Sequence, residues 1–305
     1  MAIKIRENQL EEIAGLTPEY PYVMHHEDLT ITRGPWHWHE ELELCRVVSG
    51  TVKIETTNQS YVFEKEQGFF INTNILCTMR PVEAGKPTVM DSHLFHATFL
   101  SGHFKSIFET KYLEPILTDK NLQILELRGE NERQRSMLKK LRQLAYLQKV
   151  EDAEFQTRNM LSEIWLLLLE EARERQAVPC QTKLISQERI QTMIAFIQKN
   201  YGRKLLLEEI AGAAAVSKRE CLRCFQNCIH KTPSEYLLEY RMEMAERLLR
   251  TSRATVAEIS METGFSSEAY FCKVFRQIRG RTPGQYRREN ARQGRTEESF
   301  SYRGI

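Results

Sequence analysis

A short segment near the N-terminus places imidazole and carboxylate groups on the same side of an extended chain. His37, His39, Glu41 and Glu43 are two residues apart, so they face one side if the segment is a β-strand. Two histidines and a carboxylate on one face can bind a transition metal. They can equally line a small-molecule pocket or satisfy hydrogen bonds within a β-fold. We predict a pocket without metal or cofactor, and its candidate residues are His37, His39, Glu43, Cys77, His93 and His96.

A second group of polar side chains lies in a repeat near the C-terminus. Each copy has Glu-Ile, a small residue, a serine that opens an amphipathic stretch, a phenylalanine and finally Thr-Pro-x-x-Tyr. The opening serines are Ser217 and Ser266. A repeated helix-turn-helix is suited to binding two successive segments of duplex DNA. The repeat therefore predicts double-stranded DNA as a partner.

The side chains that face outward from these two helices are candidates for contacting DNA. On the first helix, Cys221, Phe225 and Cys228 share the inward face, and on the second, Phe271, Phe275 and Ile278 do. The predicted contacts are Lys218, Arg219, Glu220, Arg223, Ser267, Glu268, Lys273 and Arg276. A bidentate contact from arginine to guanine is the commonest specific base contact. The alternative is that these are merely solvated polar faces.

Capping signals position these helices. Thr232, Thr255 and Thr282 are each followed three residues later by Glu or Gln, as Ser217 is, which predicts capping boxes. The predicted helices are 188–200, 207–214, 217–228, 233–250, 256–263, 266–278 and 283–290. Gly264 and Gly280 fit turns that need a positive φ.

Charge is distributed unevenly along the 305 residues. Residues 186–290 hold 18 Lys and Arg against 12 Asp and Glu, whereas the whole chain has a net charge of only +2. The basic C-terminal third thus favours a polyanionic partner. The N-terminus has no signal-peptide pattern. The longest apolar run, 164–169, is too short for the ~20 residues that cross a bilayer. We therefore predict a cytoplasmic protein without a membrane partner.

The N-terminal part changes from strand patterns to helix patterns. Short strands are predicted at 42–48, 51–56, 59–63 and 68–71, as in a sandwich or barrel. From about residue 103 the apolar period becomes helical, and two apolar stripes follow. These helices could close the end of the barrel or form a subunit interface, and we predict a homodimer.

Residues 186–290 resemble the DNA-binding domain of AraC-type transcription regulators. The matching pieces include Leu207–Ala211, Thr232–Tyr236, Glu258-Ile259, Gly264-Phe265 and Gly280–Arg287. The resemblance implies base-reading positions at Arg219, Glu220, Arg223, Ser267, Glu268 and Lys273. It also implies contact with RNA polymerase and favours activation of transcription. His230 departs from the pattern because Gly is usual there, and Cys221 departs because Leu is usual.

The N-terminal part resembles the cupin barrels, which often form the ligand-sensing domain of AraC-type regulators. The segment from His37 to Gly50 resembles the first cupin motif, and Gly68 to Cys77 resembles the second. Cys77 stands where the second motif has a metal-binding histidine. The resemblance therefore implies a sensing barrel, typically without metal.

These observations predict an α+β chain with two domains. Residues 1–175 form a cupin-like sensing and dimerisation domain, with the barrel at about 20–100 and helices at about 103–175. A linker at 176–185 leads to an all-α domain at 186–290 with two helix-turn-helix motifs, followed by a flexible tail at 291–305. The predicted function is a transcription regulator, not an enzyme, controlled by a small-molecule effector. The rivals are a metal-dependent cupin enzyme fused to a DNA-binding domain and a ligand-independent architectural protein.

Overall fold

The computed structural model describes residues 4–5, 11–30, 35–57, 59–119, 121–175 and 184–289. The chain divides into two compact units between residues 187 and 188. The predicted tail at 291–305 and most of the predicted linker lie outside the described residues, while residues 184 and 185 already belong to a helix. None of the described helices combines the length and apolar character that crossing a membrane requires.

The first unit is built around two β-sheets. Its strands are β1 Lys4–Ile5, β2 Glu11–Glu12, β3 Tyr22–Asp28, β4 Leu42–Ser49, β5 Thr51–Thr56, β6 Ser60–Glu64, β7 Gly68–Ile71, β8 Cys77–Pro81, β9 Val89–Phe95 and β10 Ile124–Leu127. One sheet has the strand order β10-β7-β4-β9-β3, and the other has the order β6-β5-β8. One isolated bridge pairs His37 with Cys77 at the edge of β8. The short strands β1 and β2 pair only with each other in a third, two-stranded sheet. The described strands therefore form three separate sheets and do not close into the predicted barrel.

Both faces of the five-stranded sheet are covered. Leu42, Leu44 and Phe70 pack in a cluster with helical residues such as Met137 and Trp165. Side chains of the opposite parity, such as Cys45, Val47 and Phe69, pack against Val52, Ile54 and Phe63 of the three-stranded sheet. Because β4 is buried on both faces, its first six residues are all buried, whereas β5 alternates buried and half-buried positions.

Helices follow the strands of the first unit, as predicted, but one strand interrupts them. The helices are α1 Thr98–Ser101, a π-helical turn Glu109–Leu113, α2 Glu114–Leu117, α3 Glu132–Leu147 and α4 Glu154–Arg175. Between α2 and α3, β10 pairs with β7 and completes the edge of the larger sheet. The apolar run Ile124-Leu125 is too short to distinguish a strand from a buried helix by periodicity.

The second unit is helical throughout its described part. Its helices are α5 Leu184–Asn200, α6 Leu207–Ala213, α7 Lys218–Ile229, α8 Pro233–Thr251, α9 Val256–Glu262, α10 Glu268–Arg279 and α11 at 283–289. Complete capping boxes begin α8 at Thr232 and α9 at Thr255. The core of the second half contains Phe271, Phe275 and Tyr286. Ile278 was predicted to face this core, but it is 41% exposed in the last turn of α10, beyond the buried Phe275.

Candidate nucleic-acid interface

Two helix pairs with the same turn geometry form the framework of the candidate interface. In the first pair, Ala215 has a φ of 51° in the turn between α6 and α7. Gly264 has a φ of 77° at the equivalent turn between α9 and α10. In each turn the next amide donates back to the preceding helix, from Val216 to Ala211 at 3.0 Å and from Phe265 to Ser260 at 2.9 Å. The two turns therefore begin with the same conformation and hydrogen bond, although five residues separate α9 from α10 and four separate α6 from α7.

The outward face of α7 carries the first set of predicted contacts. Lys218, Arg219 and Arg223 are exposed, and Glu220 is half-buried. Cys221, Phe225 and Cys228 face inward, as the amphipathic pattern predicts. The helix therefore presents three cations together on its solvent face.

The three cations on α7 differ in whether they form ion pairs with neighbouring carboxylates. Glu220 accepts from Arg223 at 2.8 Å, and Arg189 of α5 lies 3.4 Å from the same carboxylate. Lys218 Nζ lies 2.6 Å from Glu208 of α6. Within the described part of the chain, Arg219 makes no ion pair. Its guanidinium is thus available for contact with a base edge.

The beginning of α7 differs from the prediction in one respect. Ser217 accepts a hydrogen bond from the amide of Glu220, as an N-cap should. The Glu220 carboxylate, however, binds Arg223 and Arg189 rather than completing a capping box. Two guanidinium groups compete for that carboxylate, and a pair of charges is stronger than a hydrogen bond to a neutral amide.

The outward face of α10 carries the second set of predicted contacts. Ser267, Glu268, Lys273 and Arg276 are all exposed. The helix begins at Glu268, two residues later than predicted, because Ser267 rather than Ser266 is the N-cap and accepts from the Tyr270 amide. Lys273 and Arg276 line a surface groove of about 570 Å³ together with Cys272, Gln277 and Thr282. This groove lies between α10 and the start of α11.

His230 gives the first helix pair a strained end. It is the C-cap of α7 with φ 55° and ψ 33°, in the left-handed region, where α10 has Gly280. A residue with a Cβ costs roughly 1–2 kcal/mol in this conformation.

The substitution His230→Gly should raise the free energy of unfolding by ~0.5–1 kcal/mol, since the extra backbone entropy of glycine in the unfolded state offsets part of the relief of strain. Urea denaturation of the full chain measures the change. A lower stability for His230→Gly would show that the imidazole makes a contact that outweighs the strain.

A buried carboxylate lies on α8, the helix that connects the two pairs. Oε2 of Glu243 is buried and has no hydrogen-bond partner among the described residues. Burial, and then the charges of Glu239 and Glu246, raise the pKa of Glu243 to about 8. The folded state therefore favours the protonated form of this group.

Glu243 makes the stability of the second unit depend on pH. Folding raises the pKa of Glu243, so the folded state binds the proton more tightly than the unfolded state does. The contribution of Glu243 to the free energy of unfolding is therefore complete at a pH below its unfolded-state pKa of ~4.3, and it is lost as the pH rises through about 8. Glu243→Gln should thus stabilise the chain by ~1–3 kcal/mol at pH 8.5 and by much less at pH 5. Denaturation at both pH values tests this, with the exposed Glu262→Gln as control. An equal effect of Glu243→Gln at both pH values would contradict it.

The cysteines of α7 form part of its buried face. Cys221 and Cys224 are 0% and 2% exposed. Burial raises the pKa of the Cys221 thiol to about 11, so the thiol stays protonated near neutral pH. Their environment is that of small apolar side chains in a core.

The structure separates the predicted effector-binding residues into two groups. In the larger sheet Glu43 pairs with Leu94, whereas His93 pairs with Leu44, so Glu43 and His93 face opposite sides. Glu43 faces the gap between the two sheets. His93 faces the helices, where its Nδ1 lies 2.8 Å from the Tyr22 hydroxyl. Burial lowers the pKa of His93 to about 4, which keeps its ring neutral near pH 7.

Around Glu43, the segment before β4 brings the other candidates together. Glu43 Oε2 lies 3.5 Å from His39 Nε2, and the His37 and His39 rings stack at 6.1 Å. His37 and Cys77 exchange backbone hydrogen bonds of 3.0 and 3.1 Å. His96 lies apart, beyond the end of β9, where its Nδ1 is 2.7 Å from the Thr98 hydroxyl. The predicted effector-binding residues therefore do not all face the same side of one strand.

Further polar residues that the pattern did not single out lie beside Glu43. His25, Glu27 and Ser92 have the same facing as Glu43 in the register of β3, β9 and β4. The sequence feature that could have identified His25 and Glu27 is their spacing of two residues in β3. That spacing places them on one face only if the segment is known to be a strand. In the described part of the chain, no three His, Cys, Asp or Glu side chains are placed to hold a metal ion.

Comparisons with known proteins agree with the geometry of the second unit. Residues 210–289 match the family model described as a helix-turn-helix domain. The regulatory protein SoxS of Salmonella typhimurium is 34% identical over 101 residues, which cover 33% of this chain and 94% of SoxS. A solved AraC-type regulator from Chromobacterium violaceum is 29% identical and covers 35% of this chain and 95% of that chain, with a TM-score of 0.34. The chain belongs to the AraC-type transcription regulators.

Another relative of this AraC-type regulator extends over both units. An uncharacterised HTH-type transcriptional regulator of Bacillus subtilis, YdeC, is 28% identical over 260 residues, or 84% of this chain and 87% of YdeC. Several other curated relatives are matched over only 30–38% of their own length. These relatives are regulators, which confirms the prediction that the chain is not an enzyme. The rival hypothesis of a cupin enzyme is therefore wrong.

Proposed function

We propose that the two helix pairs are helix-turn-helix motifs that bind successive major-groove segments of one DNA site. The observation that carries this proposal is the repeated geometry: α7 and α10 follow turns that begin with the same positive-φ conformation and backbone hydrogen bond, and both present polar side chains outward. The helix α8, which joins the pairs, has 19 residues. At 1.5 Å per residue it is about 28 Å long, close to the ~34 Å of one DNA turn once the flanking helices are added.

The individual side chains have different proposed roles. Arg219, which has no ion-pair partner in the described residues, contacts a base directly. Arg223 does so in an orientation fixed by Glu220, and Lys218 contacts a phosphate. On α10, Ser267, Glu268 and Lys273 contact bases, and Arg276 contacts the backbone. The groove beside Arg276 supports the last role because it combines a cation with the hydroxyl of Thr282.

The first unit is the proposed site of regulation. Residues 1–175 would sense a small-molecule effector in a cupin-like fold and form a homodimer, and residues 176–185 would link them to the DNA-binding domain at 186–290. An effector that binds one arrangement of the protein more tightly shifts the affinity for DNA by linkage. The buried polar residues around Glu43 support the sensing role, since such groups are costly in a sheet interior.

The proposed outcome is activation of transcription in the cytoplasm through contact with RNA polymerase. This part of the proposal follows the resemblance to AraC-type regulators, many of which act in this way. A reporter gene placed behind a bound site distinguishes activation from repression.

Selection from genomic DNA tests the proposed function. The purified full chain, at a defined salt concentration, should recover fragments that share a site with two half-elements about 10–10.5 base pairs apart. Recovery of fragments without a common sequence, with binding that only follows salt concentration, would show non-specific association instead.

A further inference from the structure

The gap between the two sheets contains a cluster of buried polar side chains that we call the inter-sheet polar cluster. Its members are His25, Glu27, His39, Glu43 and Ser92. In His25, His39, Glu43 and Ser92 no more than 8% of the residue surface is exposed. Apolar side chains such as Cys45 and Met90 adjoin it on the same sheet face. Burying a polar cluster of this size between two sheets costs free energy of folding unless each group has a hydrogen-bond or charge partner.

Glu43 is the centre of the cluster and is negatively charged. Burial alone would raise its pKa, but the hydrogen bond and charge of His39 and the hydrogen bond from Ser92 lower the pKa to about 2. Its Oε1 accepts from the Ser92 hydroxyl and from the Cys45 thiol. Within the described residues, its buried Oε2 accepts no hydrogen bond of normal geometry. His39 Nε2 lies 3.5 Å from Oε2, at the outer limit of hydrogen-bond distance. A donor that comes closer would therefore make a stronger bond to Oε2 than His39 does.

Glu27 adds a second carboxylate on the same face of the sheet, two strands away from Glu43. Its pKa is raised, mainly by burial and then by the charge of Glu43. Its side chain is 33% exposed, so it forms the solvent side of the cluster. In the described residues, the basic side chains beside Glu27 and Glu43 are the histidines His25 and His39, at 3.8 and 3.5 Å. No lysine or arginine of that part of the chain pairs with either carboxylate.

We propose that the inter-sheet polar cluster binds a small molecule that carries a protonated amine. The amine would donate to Glu43 Oε2 and lie between Glu43 and Glu27, where a positive charge relieves their repulsion. A charge-assisted hydrogen bond of this kind is stronger than a neutral one, and salt screens it much less inside the protein than at the surface. An anionic molecule would be repelled by the same two carboxylates. This inference rests on the proposed function, since it names the chemical class of the effector.

Pairs of compounds that differ in charge test the proposal. The probes are putrescine against 1,4-butanediol, and ethanolamine against ethylene glycol, with butyrate as an anion. Thermal unfolding and calorimetry of the full chain are measured with each. We expect an amine at about 100 times its Kd to raise Tm by about 3–5 °C, and its neutral counterpart to have no effect.

Variants connect the binding to the cluster. Glu43→Gln should weaken amine binding at least about tenfold, since it removes the charge but keeps the shape. Glu27→Gln should also weaken it and serves if Glu43→Gln fails to fold. The exposed Glu64→Gln on β6 is the matched control and should bind as the wild type does. Three results would overturn the proposal. They are equal binding of an amine and its diol, amine binding that neither Glu43→Gln nor Glu27→Gln weakens, and the absence of amine binding.

The same samples separate this inference from the proposed function. If butyrate or a diol binds and changes the affinity for DNA, effector control stands and the amine class is wrong. If a metal ion added without amine stabilises the wild type but not Glu43→Gln, the cluster is a metal site and the proposal also fails. If an amine binds through Glu43 but leaves DNA affinity unchanged, the inference stands and control of DNA binding by this site fails.

Discussion

Replacing Gly264 by alanine should destabilise the second unit by about 2–4 kcal/mol and abolish binding by the second helix pair. The φ of 77° alone costs a residue with a Cβ roughly 1–2 kcal/mol. A Cβ at this position would also lie 2.5 Å from the Tyr201 carbonyl oxygen and 2.7 Å from Arg241 Nη2. Arg241 cannot simply move away, because it donates to the carbonyls of Tyr201 and Arg203 at 2.8 and 2.7 Å.

Gly280 provides a matched control for this prediction. Its φ is 71°, but a Cβ there would meet no atom of the described residues within 4 Å. Gly280→Ala should therefore cost only about 1 kcal/mol, from the backbone conformation alone. Urea denaturation of both variants gives the comparison. Equal losses for Gly264→Ala and Gly280→Ala would show that the contact with Arg241 and Tyr201 is not what confines position 264 to glycine.

Removing the guanidinium of Arg219 should weaken binding to a selected DNA site by about 1–3 kcal/mol, or roughly 5- to 150-fold. The reason is that Arg219 is exposed on α7 and has no ion pair with the described residues to compete for it. The loss should be confined to the selected sequence and should relax the preference at one position. Fluorescence anisotropy with the selected duplex and with a scrambled duplex measures both effects.

Lys218→Ala is the matched comparison for Arg219→Ala. A lysine that contacts a phosphate contributes equally on all sequences, so its loss should weaken both duplexes alike and lower the salt slope by about one. If Arg219→Ala instead behaves like Lys218→Ala on both duplexes, Arg219 contacts the backbone. If it binds both as the wild type does, α7 is not the helix that contacts the bases.

The helices of the second unit could be predicted from the sequence because their ends carry local signals. Thr232 and Thr255 form capping boxes with residues three positions later, and such contacts depend on neighbouring residues alone. The start of α10 was misplaced because two serines adjoin there, and only the folded turn selects Ser267 as the cap. The exposed Ile278 shows the same limit, since helical periodicity does not reveal where a core ends.

The candidate effector site was predicted less completely because strand pairing is not local. The strands β3, β8 and β9 lie in the segment predicted to form short strands, but their bounds were not predicted, and β10 was not anticipated. Without the bounds of β3, the sequence does not show which side of a sheet His25 and Glu27 face. His93 was grouped with Glu43, yet their strands pair in a register that sends them to opposite faces. That register is fixed by contacts between distant segments, which a single sequence does not display.

The most direct test of two helix pairs on one DNA site is a change in the spacing of its half-elements. The full chain is titrated against a selected site and against the same site with 5 base pairs inserted between the half-elements. That insertion turns one half-element by about half a helical turn to the other side of the duplex. Because α8 is a continuous helix of 19 residues, the second pair cannot follow. We expect the affinity to fall to that of a duplex with one half-element, and an unchanged affinity would show that the two helix pairs do not bind the two half-elements together.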